Sequence, residues 1–440
     1  MHKNEKRPGY KKTKVGWIPD GWKCSTFGET FQIQLGKMLN KQASAGPSQQ
    51  PYLTNINVRW GSFDVSNIRT MFFSDKEKAK FALKQGDLLV CEGGDIGRCA
   101  VWQEDIEPCY YQKAIHRLRP NKKCVDVRFA MYFLHQAFTS SRVQGLVGET
   151  SFAHFTRERF IEFPISVPPL FEQIAIAEVL ECWVKVIRNL ELKISKKRQI
   201  KKGLTQQLLS GHSRLPGFSK PWKNIRLGNV FNLIATYAFS RENLTTEDVD
   251  NCAIYNIHYG DIHATYTGAV LDLCKERRVP MLITSEELPS TLEFLKDGDL
   301  IMADVSEDYE GIGVCIELKN IDARKVTGGL HTFVLRDSTG YTAVGFRGYL
   351  FKEYGLAKEL KRIATGVSVY SLSKSNLTEV KLHLPPLEEQ RAIAKILATA
   401  DGEIETLERK LALLNDQKKY LLNNLVTGTI RLPEFRKCLP

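Results

Sequence analysis

Residues 168–218 align without a gap on residues 385–435, at a constant offset of 217 and with 22 identities in 51 positions. A match of that length inside one chain means that one structural unit occurs twice, and any fold must accommodate both copies. A looser correspondence links the starts of the two halves. Trp22 and Lys23 match Trp222 and Lys223, Gly28 matches Gly228, and Phe31 matches Phe231, all at an offset of 200. Between these anchors the offset drifts: Asn55 and Ile56 resemble Asn256 and Ile257, and Gly86-Asp87-Leu88 resembles Gly298-Asp299-Leu300. The chain is therefore variable, constant, variable, constant.

Each constant segment opens on a proline pair, Pro168-Pro169 or Pro385-Pro386, with Glu172 or Glu389 close behind. Proline in the first turn of a helix loses no hydrogen bond, and an acid there faces the positive end of the helix dipole. Each segment closes near a glycine, Gly211 or Gly428, suited to a left-handed stop. Apolar residues recur in steps of four and three. The first copy has Trp183, Ile187, Leu190, Ile194, Leu204 and Leu208, interrupted by Lys197 and Lys201. The second has Ala400, Ile404, Leu407, Leu411, Leu414, Leu421 and Leu425, interrupted by Lys418 and accompanied by Gly402.

That period of 3.5 is the seam of a coiled coil. About 40 residues rising ~1.5 Å each give a helix of about 60 Å. One apolar stripe on such a helix needs a partner, and two helices in one chain supply it to each other. With a domain intervening, the expected pairing is antiparallel. Two ordinary helices in separate cores would carry a similar pattern.

The variable segments hold short β-rich runs at 87–91, 114–119, 299–303, 313–318 and 331–335, with helical stretches at 127–138 and 346–363. The expected class is α+β: two globular domains of mixed helix and strand separated by two long helices, in a pseudo-twofold repeat. The boundaries read as a basic tail 1–16, a first domain 17–167, a first helix 168–213, a second domain 214–384, a second helix 385–430 and a tail 431–440.

Loops mixing basic, polar and aromatic residues suit base edges and stacking. In the first domain they contain Lys37, Asn40, Lys41, Arg59, Trp60, Ser151, His154 and Arg157. In the second they contain Tyr237, Arg241, His258, Tyr259, His263, Ser368, Tyr370 and Lys374. Solvated loops have similar composition, so the local sequence does not choose between the two.

Charge points the same way only in part. A net charge of +12 invites a polyanion. Yet residues 1–14 carry +5 and residues 184–202 carry +7, which leaves the second helix and the two variable domains together close to neutral. Ten cysteines show no Cys-x-x-Cys spacing and read as reduced and mostly buried. With no apolar run of 18 residues or more and no signal-peptide pattern, a cytoplasmic, non-membrane protein is expected.

Catalytic signatures are scarce. No phosphate loop of the G-x-x-x-x-G-K-[ST] type and no strand-following G-x-G-x-x-G occur. Gly93-Gly94-Asp95-Ile96-Gly97 precedes a β-type run and reads as a turn. The nearest approach to nuclease chemistry is Glu317-Leu318-Lys319 downstream of Asp304 and Asp308, an acid-x-Lys pattern that could hold Mg²⁺ beside a phosphate. No histidine pairing supports a metal site.

The duplicated Pro-Pro-Leu-x-Glu-Gln plus long helix, the opening Gly16-Trp17-Ile18-Pro19-Asp20-Gly21-Trp22 and the run Gly86-Asp87-Leu88-Leu89-Val90 resemble the specificity subunit of type I restriction-modification systems (HsdS). The resemblance spans about residues 15–435. It implies two target recognition domains, each reading one half of a bipartite double-stranded DNA sequence. It implies paired helices that set the spacer and dock two methyltransferase (HsdM) subunits, with restriction (HsdR) subunits added. It further implies a non-catalytic chain that binds no cofactor, S-adenosylmethionine, ATP and Mg²⁺ serving the partner subunits. Competing readings are a Mg²⁺-dependent nuclease built on Asp308, Glu317 and Lys319, and a coiled-coil protein-interaction scaffold.

Overall fold

The structure is a computed structural model and describes residues 7–121, 124–140, 155–247, 254–266, 268–283 and 291–436. The chain divides into two compact units, residues 1–191 with 410–440, and residues 192–409. Each unit combines one variable domain with part of both long helices, so the compact bodies do not follow the linear boundaries.

In unit 1 the central antiparallel sheet runs in the order Cys99–Val101, Leu88–Cys91, Ile115–Pro120, Phe31–Leu35. The Leu88–Cys91 strand has no exposed residue because its two faces serve two cores. Leu88 and Val90 pack with Trp22, Phe31 and Phe129, whereas Leu89 and Cys91 pack with Tyr52, Phe73 and Trp102. The strand's period of two thus divides an unbroken apolar run between opposite sides. Burial of each such side chain stabilises by roughly 1.5–3 kcal/mol.

The central strand of unit 2 is built in the same way. Its sheet runs Phe231–Ile234, Thr332–Asp337, Leu300–Ala303, Cys315–Lys319, Val270–Asp272, antiparallel except for the last pair. Leu300 and Met302 face one core, Ile301 and Ala303 the other.

The Gly-Asp-Leu motif acquires a physical reason. Gly86 and Gly298 have φ of +86° and +85°, a conformation that glycine adopts without penalty. The following aspartate turns inward. Asp87 receives Arg119 through Nε at 2.6 Å and Nη2 at 2.8 Å, and the Lys84 amide at 2.9 Å. Asp299 receives Arg336 through Nε at 3.0 Å and Nη2 at 2.6 Å, and the Lys296 amide at 2.8 Å.

The long helices run Leu170–Leu209 and Leu387–Leu425. Each begins one residue after its proline pair: the Pro169 and Pro386 carbonyls accept the first turn's bonds from Gln173 and Gln390 at 3.1 and 3.0 Å. The prolines thus stand at the helix cap rather than inside the first turn. Gly211 and Gly428, at φ +74° and +71°, end the helices as expected.

Along the seam Ile187, Leu190, Ile194, Leu208, Ile404 and Leu425 are buried, and Leu204, Leu407, Leu411, Leu414 and Leu421 are half-buried. Within unit 2 the helix segments lie side by side in opposite senses. Lys197 pairs with Glu403 at 2.6 Å, and the next seam lysine, Lys201, with Asp401. The lysines that interrupt the stripe therefore meet carboxylates. Within unit 1, Glu172 meets Arg431 while Glu191 acts on Lys418, again in opposite senses.

Other sequence expectations shift in detail. The stretch 346–363 forms two helices, Arg347–Leu350 and Tyr354–Ile363, because Glu353 caps the second by accepting the Leu356 amide. Of the eight cysteines described, Cys24, Cys124, Cys182 and Cys274 are exposed, so the thiols are not mostly buried. Cys182 lies on the outer face of its helix, between the inward Leu180 and the half-buried Trp183. Among the described residues no helix is long and apolar enough to cross a membrane.

Candidate nucleic-acid interface

Each unit locks its helix to its domain through one carboxylate. In unit 1 the buried Glu172 accepts Trp22 Nε1 at 3.0 Å and both Nε and Nη2 of Arg431 at 2.8 Å. In unit 2 the buried Glu389 accepts Trp222 Nε1 at 3.1 Å and Arg214 through Nε at 2.6 Å and Nη2 at 2.7 Å. All three residues correspond under the sequence repeat. Planar guanidinium against carboxylate fixes orientation as well as charge.

In unit 1 the expected contact residues divide. Lys37 is buried, with Nζ on Glu77 Oε2 at 2.7 Å and on the Phe72 carbonyl at 2.6 Å, and 4.9 Å above the Phe73 ring. Its donors are consumed inside the domain, which corrects its assignment as a loop contact. Asn40 is exposed and caps the short Lys41–Ala45 helix through the Ala43 amide, and Lys41 is exposed. Arg59 is exposed beside Asp64 at 3.4 Å. Trp60 stacks on His135 at 4.4 Å and 15°. Arg157 is exposed, with Nε on the Ile33 carbonyl at 3.1 Å. Among the described residues no hydrogen bond, ion pair or ring contact joins 37–41 to 59–60. Ser151 and His154 lie outside the described residues.

Unit 2 brings more of them together. The Val305–Ser306 strand pairs with Tyr370–Ser371, which sets the end of the central strand against the 365–374 segment. His263 bonds the Val305 carbonyl at 3.2 Å, and Tyr259 makes edge contacts with His263 at 6.2 Å and His331 at 5.5 Å. Tyr309 stands edge-on to Tyr370 at 5.3 Å, with the Lys361 ammonium 5.9 Å from the Tyr309 ring. His331 Nδ1 lies 3.6 Å from Asp304 Oδ1, and burial holds the Asp304 carboxyl above the usual carboxylate range. Lys374 and Ser368 are exposed. Arg241 pairs with Asp261 at 3.0 Å, and the Tyr237 hydroxyl accepts the Glu293 amide at 2.8 Å. His258 is buried, and desolvation lowers its pKa, so it supports the patch from beneath rather than lying on it.

Sequence reasoning placed Asp304 beside the nuclease pattern rather than in this patch, and missed Tyr309, His331 and, in unit 1, His135. Asp304 and His331 share one signal: each flanks an apolar strand, Leu300–Ala303 or Thr332–Asp337.

The nuclease constellation does not form. Glu317 is buried with its oxygens accepting the Gly345 and Gly348 amides at 2.6 and 3.0 Å, and burial raises its pKa. Lys319 is exposed, and Asp308 accepts the Gly311 amide. Among the described residues no group of three or more His, Cys, Asp or Glu could hold a metal. Unit 2 does contain a cleft of about 1310 Å³ whose lining mixes bases such as Arg198, Lys202 and Lys352 with acids such as Asp272, Glu405 and Glu408. Burial lowers the Lys352 pKa.

The type I restriction modification DNA specificity domain matches this sequence twice, over residues 19–202 and 219–416. The chain belongs to that family. Relatives include the MjaVIII specificity subunit of Methanocaldococcus jannaschii, 23% identical over 434 residues and 94% of both chains. The StySPI specificity subunit of Salmonella potsdam is 20% identical, covering 94% of this chain and 90% of its own. The S subunit from M. genitalium shares the fold with a TM-score of 0.54 at 19% identity, over 92% of this chain and 96% of that one. HsdS from Thermoanaerobacter tengcongensis does so with 0.51 at 17% identity, over 94% and 98%. For a type I specificity chain, the paired anchors Trp22/Trp222 and Glu172/Glu389 are the frame on which the two variable sheets are mounted.

Proposed function

We propose that this chain gives a type I restriction-modification enzyme its DNA sequence specificity. The observation that carries the reading is the recurrence of one module in both units: the same Trp-Glu-Arg lock and the same Gly-Asp clamp under a divergent loop set. Divergent loops on a repeated frame are what two different half-sites require. Each recognition domain reads one half of a bipartite double-stranded DNA target. The long helices pair as an antiparallel coiled coil that fixes the unread spacer and docks two methyltransferase subunits, to which restriction subunits add.

In this reading the chain is a non-catalytic cytoplasmic component. S-adenosylmethionine, ATP and Mg²⁺ act in the partner subunits. Contacts come from Asn40, Lys41, Arg59, Trp60 and Arg157 in the first domain and from Arg241, Tyr259, His263, Ser368, Tyr370 and Lys374 in the second. Near-neutral domains leave much of the phosphate attraction, with its steep salt dependence, to other surfaces of the assembly.

The test is methylation by the full chain assembled with its modification subunit. One bipartite motif is expected, and exchanging residues 17–167 for those of another family member changes one half-site alone. A change in both half-sites, or in neither, overturns the reading. Matched one-heptad insertions in both helices lengthen the spacer if the helices are the ruler, and an unchanged spacer rejects that role.

A further inference from the structure

The 365–371 segment of unit 2 is a loop held at both ends. Thr365 and Ser371 exchange amide-to-carbonyl bonds at 2.9 and 2.8 Å, and Tyr370 and Ser371 pair with Ser306 and Val305, just beyond the buried Leu300–Ala303 strand. The Leu372 amide donates to the Asp304 carbonyl at 2.8 Å. The Tyr354–Ile363 helix ends two residues before the loop. The Lys374–Glu379 helix begins three residues after it, capped by the Ser373 hydroxyl, which accepts the Asn376 amide at 3.1 Å. At the turn itself Gly366 has φ +124°, and a Cβ there would lie 1.9 Å from the Val369 carbonyl oxygen, so glycine alone closes it.

This fixed loop turns apolar side chains outward. Val367 is 91% exposed, the most of any large apolar residue described, and Val369 is 52% exposed. Tyr370 beside them stands edge-on to the exposed Tyr309 at 5.3 Å, and Ser368 and Lys374 are exposed on the same segment. A lone apolar residue at a surface is ordinary, but several gathered on one rigid loop mark a surface that meets a partner.

The repeat separates the frame of this loop from its variable part. At the offset of 217, Ser368 matches Ser151, Leu372 matches Phe155, Ser373 matches Thr156 and Lys374 matches Arg157. Thr156 caps its helix through the Arg159 amide, as Ser373 caps its own through Asn376. Val367 and Val369 instead match Thr150 and Phe152 in the sequence. The supporting positions recur while those that point outward in unit 2 change, which is what two halves reading different bases require.

We infer that Val367 is a specificity-determining residue of the second recognition domain and packs against the 5-methyl group of a thymine in the major groove. The inference rests on the DNA-specificity reading above. An isopropyl group has neither a hydrogen to donate nor a lone pair, so it cannot read the donors and acceptors of base edges. The thymine methyl is the apolar feature that base pairs present in the major groove. Cytosine at the same position offers no methyl group and sets its N4 donor near the valine, where it loses water without gaining an acceptor.

The test uses the full chain assembled with its modification subunit, and methylation of duplex DNA. In a randomised library one position of the wild-type motif selects T, and Val367→Ala relaxes that position while the other half-site stays intact. A second arm needs no variant. Deoxyuridine, placed in turn at each thymine of the motif, removes the methyl group and nothing else. At one thymine the wild type should slow by about fourfold, the loss of one methyl-sized contact. Val367→Ala should methylate the thymine and uracil duplexes at that position at nearly equal rates, because the two changes remove the same contact. A motif without a selected thymine, uracil tolerated by the wild type at every thymine, or a thymine preference that Val367→Ala keeps in full overturns the inference and leaves the specificity reading standing. Equal slowing of Val367→Ala on every sequence assigns the valine to docking of a protein partner and overturns it as well. A wild-type assembly without a bipartite motif overturns the specificity reading itself.

Discussion

Arg431 lies 259 residues beyond Glu172 in the chain and holds both of its carboxylate oxygens at 2.8 Å. Glu172 is fully buried and also accepts Trp22 Nε1. Removing one member of a buried ion pair leaves an uncompensated charge, at a cost of about 3–5 kcal/mol. Arg431→Ala should therefore destabilise unit 1 by that order, read as a lower urea midpoint. Arg431→Lys should recover only part of the loss, since an ammonium cannot fork. Arg214→Ala should act on unit 2 through Glu389. If Arg431→Ala leaves the urea midpoint unchanged, the lock is not a stability element.

Glu317 invites a second experiment because two roles predict opposite readouts. As a nuclease acid, its loss would abolish cutting and spare the fold. As a buried acceptor for the Gly345 and Gly348 amides, its loss orphans two donors, each at about 1–3 kcal/mol. Glu317→Ala is expected to lower the melting temperature, and purified wild-type protein with Mg²⁺ is expected to leave DNA intact. Mg²⁺-dependent cutting that Glu317→Ala removes without loss of stability would reverse this assignment.

Gly28 and Gly228, matched anchors of the repeat, occupy equivalent crowded sites. A Cβ at Gly28 would lie 2.5 Å from Ile161 Cγ2, and one at Gly228 2.8 Å from Thr378 Cβ. Ile161 and Thr378 belong to the short helices Arg157–Glu162 and Lys374–Glu379, each followed directly by the strand that leads into a long helix. Gly28→Val and Gly228→Val should each overpack and destabilise by about 1–3 kcal/mol, measured by thermal unfolding. Wild-type melting temperatures in both variants would show that the helices yield freely.

What the sequence made legible is what repeats. Gly86-Asp87 and Gly298-Asp299 stand out by comparison of the halves, and their clamps confirm why both residues are needed. The long helices follow from periodicity because a single stripe must be buried. Glu172 could be picked out, but its partner Arg431 could not, since no local pattern links residues 259 apart. Lys37 looked like a loop cation because formula charge is the same whether an ammonium is solvated or held by Glu77. The meeting of Asp304 with His331 was hidden for the opposite reason: each is a single polar residue at a strand end, and only the sheet order brings them together.

His135 supplies a pH test in unit 1. Its ring stacks against Trp60, and burial, together with the Lys418 charge, pushes its pKa down to about 4 from an ordinary 6.5. The unfolded chain therefore takes up a proton as pH falls below about 6.5, while the folded chain resists until about 4. Stability falls across that window and levels off below it, by at most roughly 3 kcal/mol from this one group. Carboxylates add their own slope, so the informative quantity is the difference between wild type and His135→Gln. Urea unfolding at pH 7.0, 5.5 and 4.5 should show the wild type losing more stability than the variant between the first and last values. Parallel curves would mean that His135 is solvated, and the Trp60 stack would then contribute nothing to the acid sensitivity of this domain.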